Sequence, residues 1–199
     1  MTIPQQLILF RFLISPVIIA LAWFFGERVN LLIVFLMVLG ILSDIFDGII
    51  ARKMNISSVK LRRLDSQVDL VFWLSIGLSA YLLHPEIIAE HKIYIVVLFL
   101  MEGLCYLTSF IKFGKETCTH AFLSKIWGLT LLVCLTALIG FGHGGIPLKL
   151  AVYWGLISQF DVILIILLLP KWQSDIPSFY HAYLIRKGIP FSKSKLLND

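Results

Sequence analysis

Charge is scarce in this chain: 15% of its 199 residues are Asp, Glu, Lys or Arg, against 59% that are hydrophobic. Soluble domains carry about a quarter charged residues, so that class is excluded and a compact set of membrane helices fits instead. Cysteine is nearly absent. The three present, Cys105, Cys118 and Cys134, are odd in number and show no metal spacing, which excludes a disulfide framework and leaves them as small apolar residues. His84, His91, His143 and His181 are scattered near loops without ligand spacing. No repeat or low-complexity segment is visible. The first apolar stretch has no basic leading region and no A-x-A-like exit, and Arg11 interrupts it, so it does not read as a cleavable signal peptide.

What is there is apolar sequence in lengths suited to a bilayer. A span needs roughly 20 mostly apolar residues. Six stretches qualify, near residues 7–25, 30–51, 66–83, 93–112, 121–142 and 147–169. The expected fold is therefore all-α, a polytopic membrane protein with six transmembrane helices in one bundle. The expected domain covers residues 1–170, followed by a juxtamembrane tail at 171–199 in which Trp172, Phe179, Tyr180, Tyr183 and Leu184 alternate with basic residues. Pro16 within the first span predicts a kink that neighbouring helices accommodate.

Basic residues set the orientation, because Lys and Arg accumulate on the cytoplasmic side. Arg52, Lys53, Lys60, Arg62 and Arg63 lie between spans two and three. Lys112, Lys115 and Lys125 flank the four–five connection, and the tail holds Lys171, Arg186, Lys187, Lys193 and Lys195. The opposite face keeps only Arg28, Lys92 and Lys149. Both termini and the connection between spans two and three are thus expected in the cytoplasm. The net charge of +5 is spread along membrane edges, which argues against nucleic acid as a partner and for anionic lipid headgroups.

Against this background four carboxylates stand out: Asp44, Asp47, Asp65 and Asp69. Helix positions three and four apart share a face. Asp44, Gly48 and Arg52 form one row and Asp47 with Ala51 the next, so the end of span two presents two carboxylates, two nearly side-chain-free positions and a guanidinium. Asp65 and Asp69 are spaced by four at the start of span three. The short connection returns the chain antiparallel, so the two pairs face each other. Four carboxylates so placed repel one another unless a counter-charge joins them, and oxygen-only ligands suit Mg²⁺, Mn²⁺ or Ca²⁺, with Mg²⁺ favoured where phosphates complete the shell. Two such ions about 4 Å apart clamp the attacking and leaving oxygens of a phosphoryl transfer. Gly48 and Ala51 would let a diphosphate approach the backbone, and Arg52 would hydrogen-bond to it.

These residues resemble the motif of the CDP-alcohol phosphotransferase family, D-x-x-D-G-x-x-A-R-x8-G-x3-D-x3-D. Every fixed position matches except the second glycine, where Leu61 stands. The resemblance implies that Asp44, Asp47 and Asp65 bind one or two ions of Mg²⁺ or Mn²⁺, and that Asp69, also near a metal, is the catalytic base. It implies that Gly48 and Arg52 contact the cytidine diphosphate donor, joined by Ser58, a hydroxyl residue six positions after the arginine. The reaction implied transfers a phosphatidyl or other phospho-alcohol group from a CDP-alcohol, foremost CDP-diacylglycerol, to a small alcohol, polyol phosphate or lipid acceptor, releasing CMP. The family often dimerises through its membrane helices, so a homodimer is expected, in a bacterial inner membrane. Once the third helix includes Leu61, this side chain shares a row with Asp65 and Asp69 and overhangs the site, which bears on the donor pocket and on activity. Arg11 matches the arginine of an N-x-x-T-x-x-R opening found in some members, whereas Gln5 and Ile8 replace its Asn and Thr.

Two other readings belong to different classes. One is a catalytically altered homologue, motivated by Leu61. The other is a small cation-coupled transporter using the acidic cluster, although no duplicated half is visible. Glu102 and Asp161, acids inside spans four and six, are functional candidates that a structural pairing with Arg11, Lys125 or a backbone donor would explain equally. Thr119, His120, Ser124 and Lys125 lie where a soluble acceptor would arrive, but positive-inside anchoring is the preferred reading for Lys125. The five tryptophans read as belt and packing residues.

Overall fold

The computed structural model describes residues 1–54, 56, 58–116 and 121–190. Cys118, Thr119, His120, Lys193 and Lys195, with the last part of the tail, lie outside the described residues. Helix accounts for 85% of the structure, with no strand among the described residues. The all-α expectation holds.

The elements are α1 (Ile3–Phe25), a 3₁₀ turn (Gly26–Val29), α2 (Asn30–Lys53), α3 (Val59–Leu83), α4 (Pro85–Glu90), α5 (Lys92–Phe113), α6 (Phe122–Phe141), α7 (Gly145–Leu168) and α8 (Phe179–Lys187). Five helical segments are long and apolar enough to cross a membrane. The sequence reading expects six. The difference lies at one place: the 3₁₀ turn joins α1 and α2 with no gap in helical residues, so Ile3–Lys53 counts as one segment, although Gly26 at φ 59° turns the chain there and α1 packs back against α2. Large apolar side chains stand outside on all of these helices. Trp23, Phe24, Leu31, Ile93, Leu100 and Ile111 are each at least two-thirds exposed, an arrangement that lipid solvates and water does not.

The chain forms two compact units, one of residues 1–90 and 132–145, the other of residues 91–131 and 146–199. In the first, α1 packs against both α2 and α3. Pro4 sits in the first turn of α1, where its missing N–H is not needed, and the Gln5 side chain accepts from the Thr2 N–H at 2.9 Å. Helix α1 continues unbroken through Pro16. Gly40 is the closest point of the three-helix packing. A Cβ there would lie 2.2 Å from Cζ of Phe72 on α3 and 3.2 Å from Cδ1 of Ile14 on α1. Phe72, Ile18, Ile33, Met37 and Ile76 fill the surrounding core.

The second unit is organised around α7, which carries ten buried residues. Val162, Ile165, Ile166 and Leu169 pack with Cys105, Ala121, Ile176 and Ala182. Both intramembrane acids have protein partners here. Gln159 Nε2 donates to Glu102 Oε2 at 2.9 Å and to the Leu98 carbonyl at 3.2 Å. Asp161 Oδ1 accepts the Phe179 N–H at 3.0 Å, so a carboxylate of α7 caps the start of α8. Of the pairings open in the sequence, Asp161 therefore takes the backbone donor. The tail is partly helical, as expected, and tied down further by Trp172 Nε1 donating to the Glu116 carbonyl at 2.9 Å. Ser124 hydrogen-bonds Ser158 at 2.9 Å, and Lys125 is exposed.

Candidate active site

All four motif aspartates lie in the first unit, and they converge. Their meeting point is the guanidinium of Arg11, which is 0% exposed. Nη2 of Arg11 hydrogen-bonds Asp47 Oδ2 at 3.0 Å and also Asp65 Oδ1. Nη1 pairs with Asp69 Oδ1 at 3.0 Å and with Asp44 Oδ1. Each terminal nitrogen thus bridges one aspartate of α2 and one of α3. The pairing of 44 with 69 and of 47 with 65 is the register of two antiparallel helices.

Local sequence explains how the carboxylates reach this point. On α2 the spacing of three puts Asp44 and Asp47 on one side, with Gly40 one turn earlier letting α2 close onto Phe72. On α3 the helix starts at Val59 because Ser58 supplies the N-cap: its Oγ accepts the Leu61 N–H at 3.2 Å. From that start Asp65 and Asp69 fall one turn apart on one row, and Leu61, itself helical and half-buried, precedes them on it. Exposure is graded. The Asp47 side chain is buried, those of Asp65 and Asp69 are partly buried, and that of Asp44 is 41% exposed, which marks the open side of the cluster.

One carboxylate oxygen from each of Asp44, Asp47 and Asp65 lies within 4.8 Å of the others. The donor set is oxygen only, and a single guanidinium is surrounded by four carboxylates, which leaves a negative excess. Both features fit a hard divalent cation of the Mg²⁺ or Mn²⁺ kind. Each carboxylate has two oxygens and can engage a guanidinium through one while offering the other. Asp69 is joined to this group through Arg11 rather than through the three-oxygen cluster.

The sites expected for the donor are placed as follows. A Cβ at Gly48 would meet only Arg52 Nη1, at 3.6 Å, so the surface there is open apart from that guanidinium. Arg52 is half-buried. Ser58 is occupied as a helix cap through one lone pair of its hydroxyl. Sequence reasoning did not assign Arg11 to the aspartates. The available signal was that Arg11 is the one basic residue of 17 belonging to neither membrane edge.

The chain matches the CDP-alcohol phosphatidyltransferase family over residues 1–170 and belongs to that family. No curated protein and no solved structure matches it. Membership places it among transferases that use CDP-alcohol donors and alcohol acceptors in a lipid environment.

Proposed function

We propose that this chain is a phospholipid-synthesising enzyme that moves a phosphatidyl group from CDP-diacylglycerol, or a related CDP-alcohol, to an acceptor hydroxyl with release of CMP. The observation that carries this reading is the convergence of all four motif aspartates, from two helices, on one buried point. Asp44, Asp47 and Asp65, with Asp69 beside them, would hold one or two Mg²⁺ or Mn²⁺ ions, which neutralise the diphosphate and make CMP a better leaving group. Asp69 takes the acceptor's proton as its oxygen attacks the phosphorus bearing the lipid alcohol. The bond from that phosphorus to the CMP oxygen breaks, and a new phosphodiester remains. Arg52, lying over Gly48, is positioned to hydrogen-bond the diphosphate, and Ser58 stands at the start of the facing helix.

In this reading residues 1–170 are the transferase domain, crossing the membrane six times, and residues 171–199 are a cytoplasmic tail. The aspartates face the cytoplasm, so the acyl chains remain in the bilayer while the headgroup reaches soluble cations. The acceptor is a small alcohol, a polyol phosphate or a lipid, and the protein works as a homodimer in a bacterial inner membrane.

The test is CMP release by purified protein in nanodiscs supplied with CDP-diacylglycerol and Mg²⁺ or Mn²⁺. Glycerol 3-phosphate, serine, inositol, inositol phosphate and phosphatidylglycerol are offered as separate acceptors. Metal-dependent release with one of them establishes the reaction and its product together. Silence across the panel with donor still bound favours the altered homologue, the reading that Leu61 motivates.

Leu61 gives a prediction of its own. Leu61→Gly removes an isobutyl group one turn from Asp65 and restores the family residue. Donor use is expected to rise or broaden, read as CMP release across CDP-alcohols of different size. The added glycine costs the first turn of α3 about 1 kcal/mol of helix propensity, too little to unfold it. An unchanged donor preference and affinity would remove Leu61 as a specificity element.

A further inference from the structure

Arg11 is buried completely, and its terminal nitrogens meet only carboxylates, Nη2 by hydrogen bonds and Nη1 by ion pairs; neither Nη1 nor the buried Nε makes a hydrogen bond among the described residues. Its position explains why the aspartates can face each other at all. Four carboxylates on two helices repel, and a guanidinium between them, with planar forked donors, ties each pair across the α2–α3 gap. A guanidinium is therefore seated among the carboxylates that a divalent ion would need.

We propose that Arg11 is a positioning residue that acts as a resident cation: it holds the four carboxylates in register, and an incoming divalent ion must share those carboxylates with it. Its charge then sets how tightly the chain holds metal. This rests on the reading of Asp44, Asp47 and Asp65 as metal ligands. Two opposed effects follow from removing the guanidinium. The carboxylates lose their organiser, which weakens binding, and a positive charge in contact with the metal's own ligands disappears, which strengthens it. Coulomb repulsion scales with the product of the charges and acts here over a few ångströms from a guanidinium that is itself buried, so the second effect dominates. The organising role shows instead in turnover, because carboxylates free to reorient hold the reacting groups less well.

The experiment measures Mn²⁺ binding to the full chain in detergent by loss of the free-ion electron paramagnetic resonance signal. Wild type is compared with Arg11→Lys and Arg11→Met. The expected order is tightest for Arg11→Met, by tenfold or more over wild type, with Arg11→Lys between them. A lysine keeps the charge but offers one nitrogen, which cannot bridge both aspartate pairs. CMP release per bound Mn²⁺ is expected to fall in both variants, a split between affinity and turnover that a mere packing role would not produce. If Arg11→Met does not fold without metal, the comparison of Arg11→Lys with wild type decides, and a threefold tightening is the expected result. Equal or weaker Mn²⁺ binding in the variants overturns the proposal and leaves Arg11 as scaffold. Absence of Mn²⁺ binding by wild type overturns the metal reading of the aspartates, and this proposal with it.

Discussion

Asp69→Asn is expected to lower CMP release by about a thousandfold, within the range of 10² to 10⁴ that a positioned general base contributes. Donor binding should survive, within about threefold of wild type, because the remaining three aspartates form their oxygen cluster without Asp69. The substitution is conservative in shape, and the asparagine carbonyl still offers an oxygen to Arg11 Nη1, which lies 3.0 Å from Asp69 in the native protein. What it removes is the capacity to accept a proton. Turnover measured at saturating donor and acceptor, alongside equilibrium binding of CDP-diacylglycerol, separates the two effects. Near-normal turnover would exclude Asp69 as the base and move that role to a group not yet named.

A pair of glycines two turns apart on α2 should respond in opposite ways to the same change. Gly40→Ala is expected to destabilise the fold, because its Cβ would stand 2.2 and 2.5 Å from two atoms of the Phe72 ring, which is 1% exposed and cannot swing aside. Overpacking of this kind costs about 1–3 kcal/mol, and α2 can relieve it only by moving away from α3. That movement separates Asp44 and Asp47 from Asp65 and Asp69, so activity falls with stability. Gly48→Ala meets only Arg52 Nη1, at 3.6 Å, an ordinary contact, and alanine is the better helix former by about 1 kcal/mol. Its melting temperature in detergent should hold or rise, while affinity for CDP-diacylglycerol falls about tenfold if the diphosphate approaches the backbone there, a loss of about 1.4 kcal/mol. A Gly48→Ala protein that binds donor normally would show that the nucleotide lies elsewhere.

The sequence made the aspartates legible because helical spacing of three and four is a strong local signal, and a short connection forces two helix ends together. Composition made the membrane class legible for the same reason: a bilayer imposes a length and an apolarity that few other solvents demand. Arg11 was harder to place. Its partners lie on two other helices, and nothing in a periodicity argument says which of several buried acids an isolated arginine will meet. Glu102 and Asp161 were candidates on equal terms, and both found partners at long range in sequence, one a glutamine and one a backbone N–H. The count of spans differs at one spot, where the 3₁₀ turn Gly26–Val29 follows α1 with no non-helical gap, although Gly26 turns the chain there and α1 and α2 pack together. The cap formed by Ser58 was also hidden, since the family resemblance assigns the same hydroxyl to the donor and says nothing of the start of α3.

The placement of Arg11 has a consequence for how the protein is made. During synthesis α1 is made before α2 and α3, and it carries Arg11 about two turns from its N-terminal end with these carboxylate partners still to be translated. A lone arginine on a spanning helix is unfavourable in lipid, by up to about 2.5–3.5 kcal/mol at the bilayer centre and by less towards its edge. That cost is recovered only when α2 and then α3 arrive, and α3 in turn brings two aspartates that are themselves unfavourable in lipid without the arginine. The first three helices therefore depend on one another for their place in the membrane.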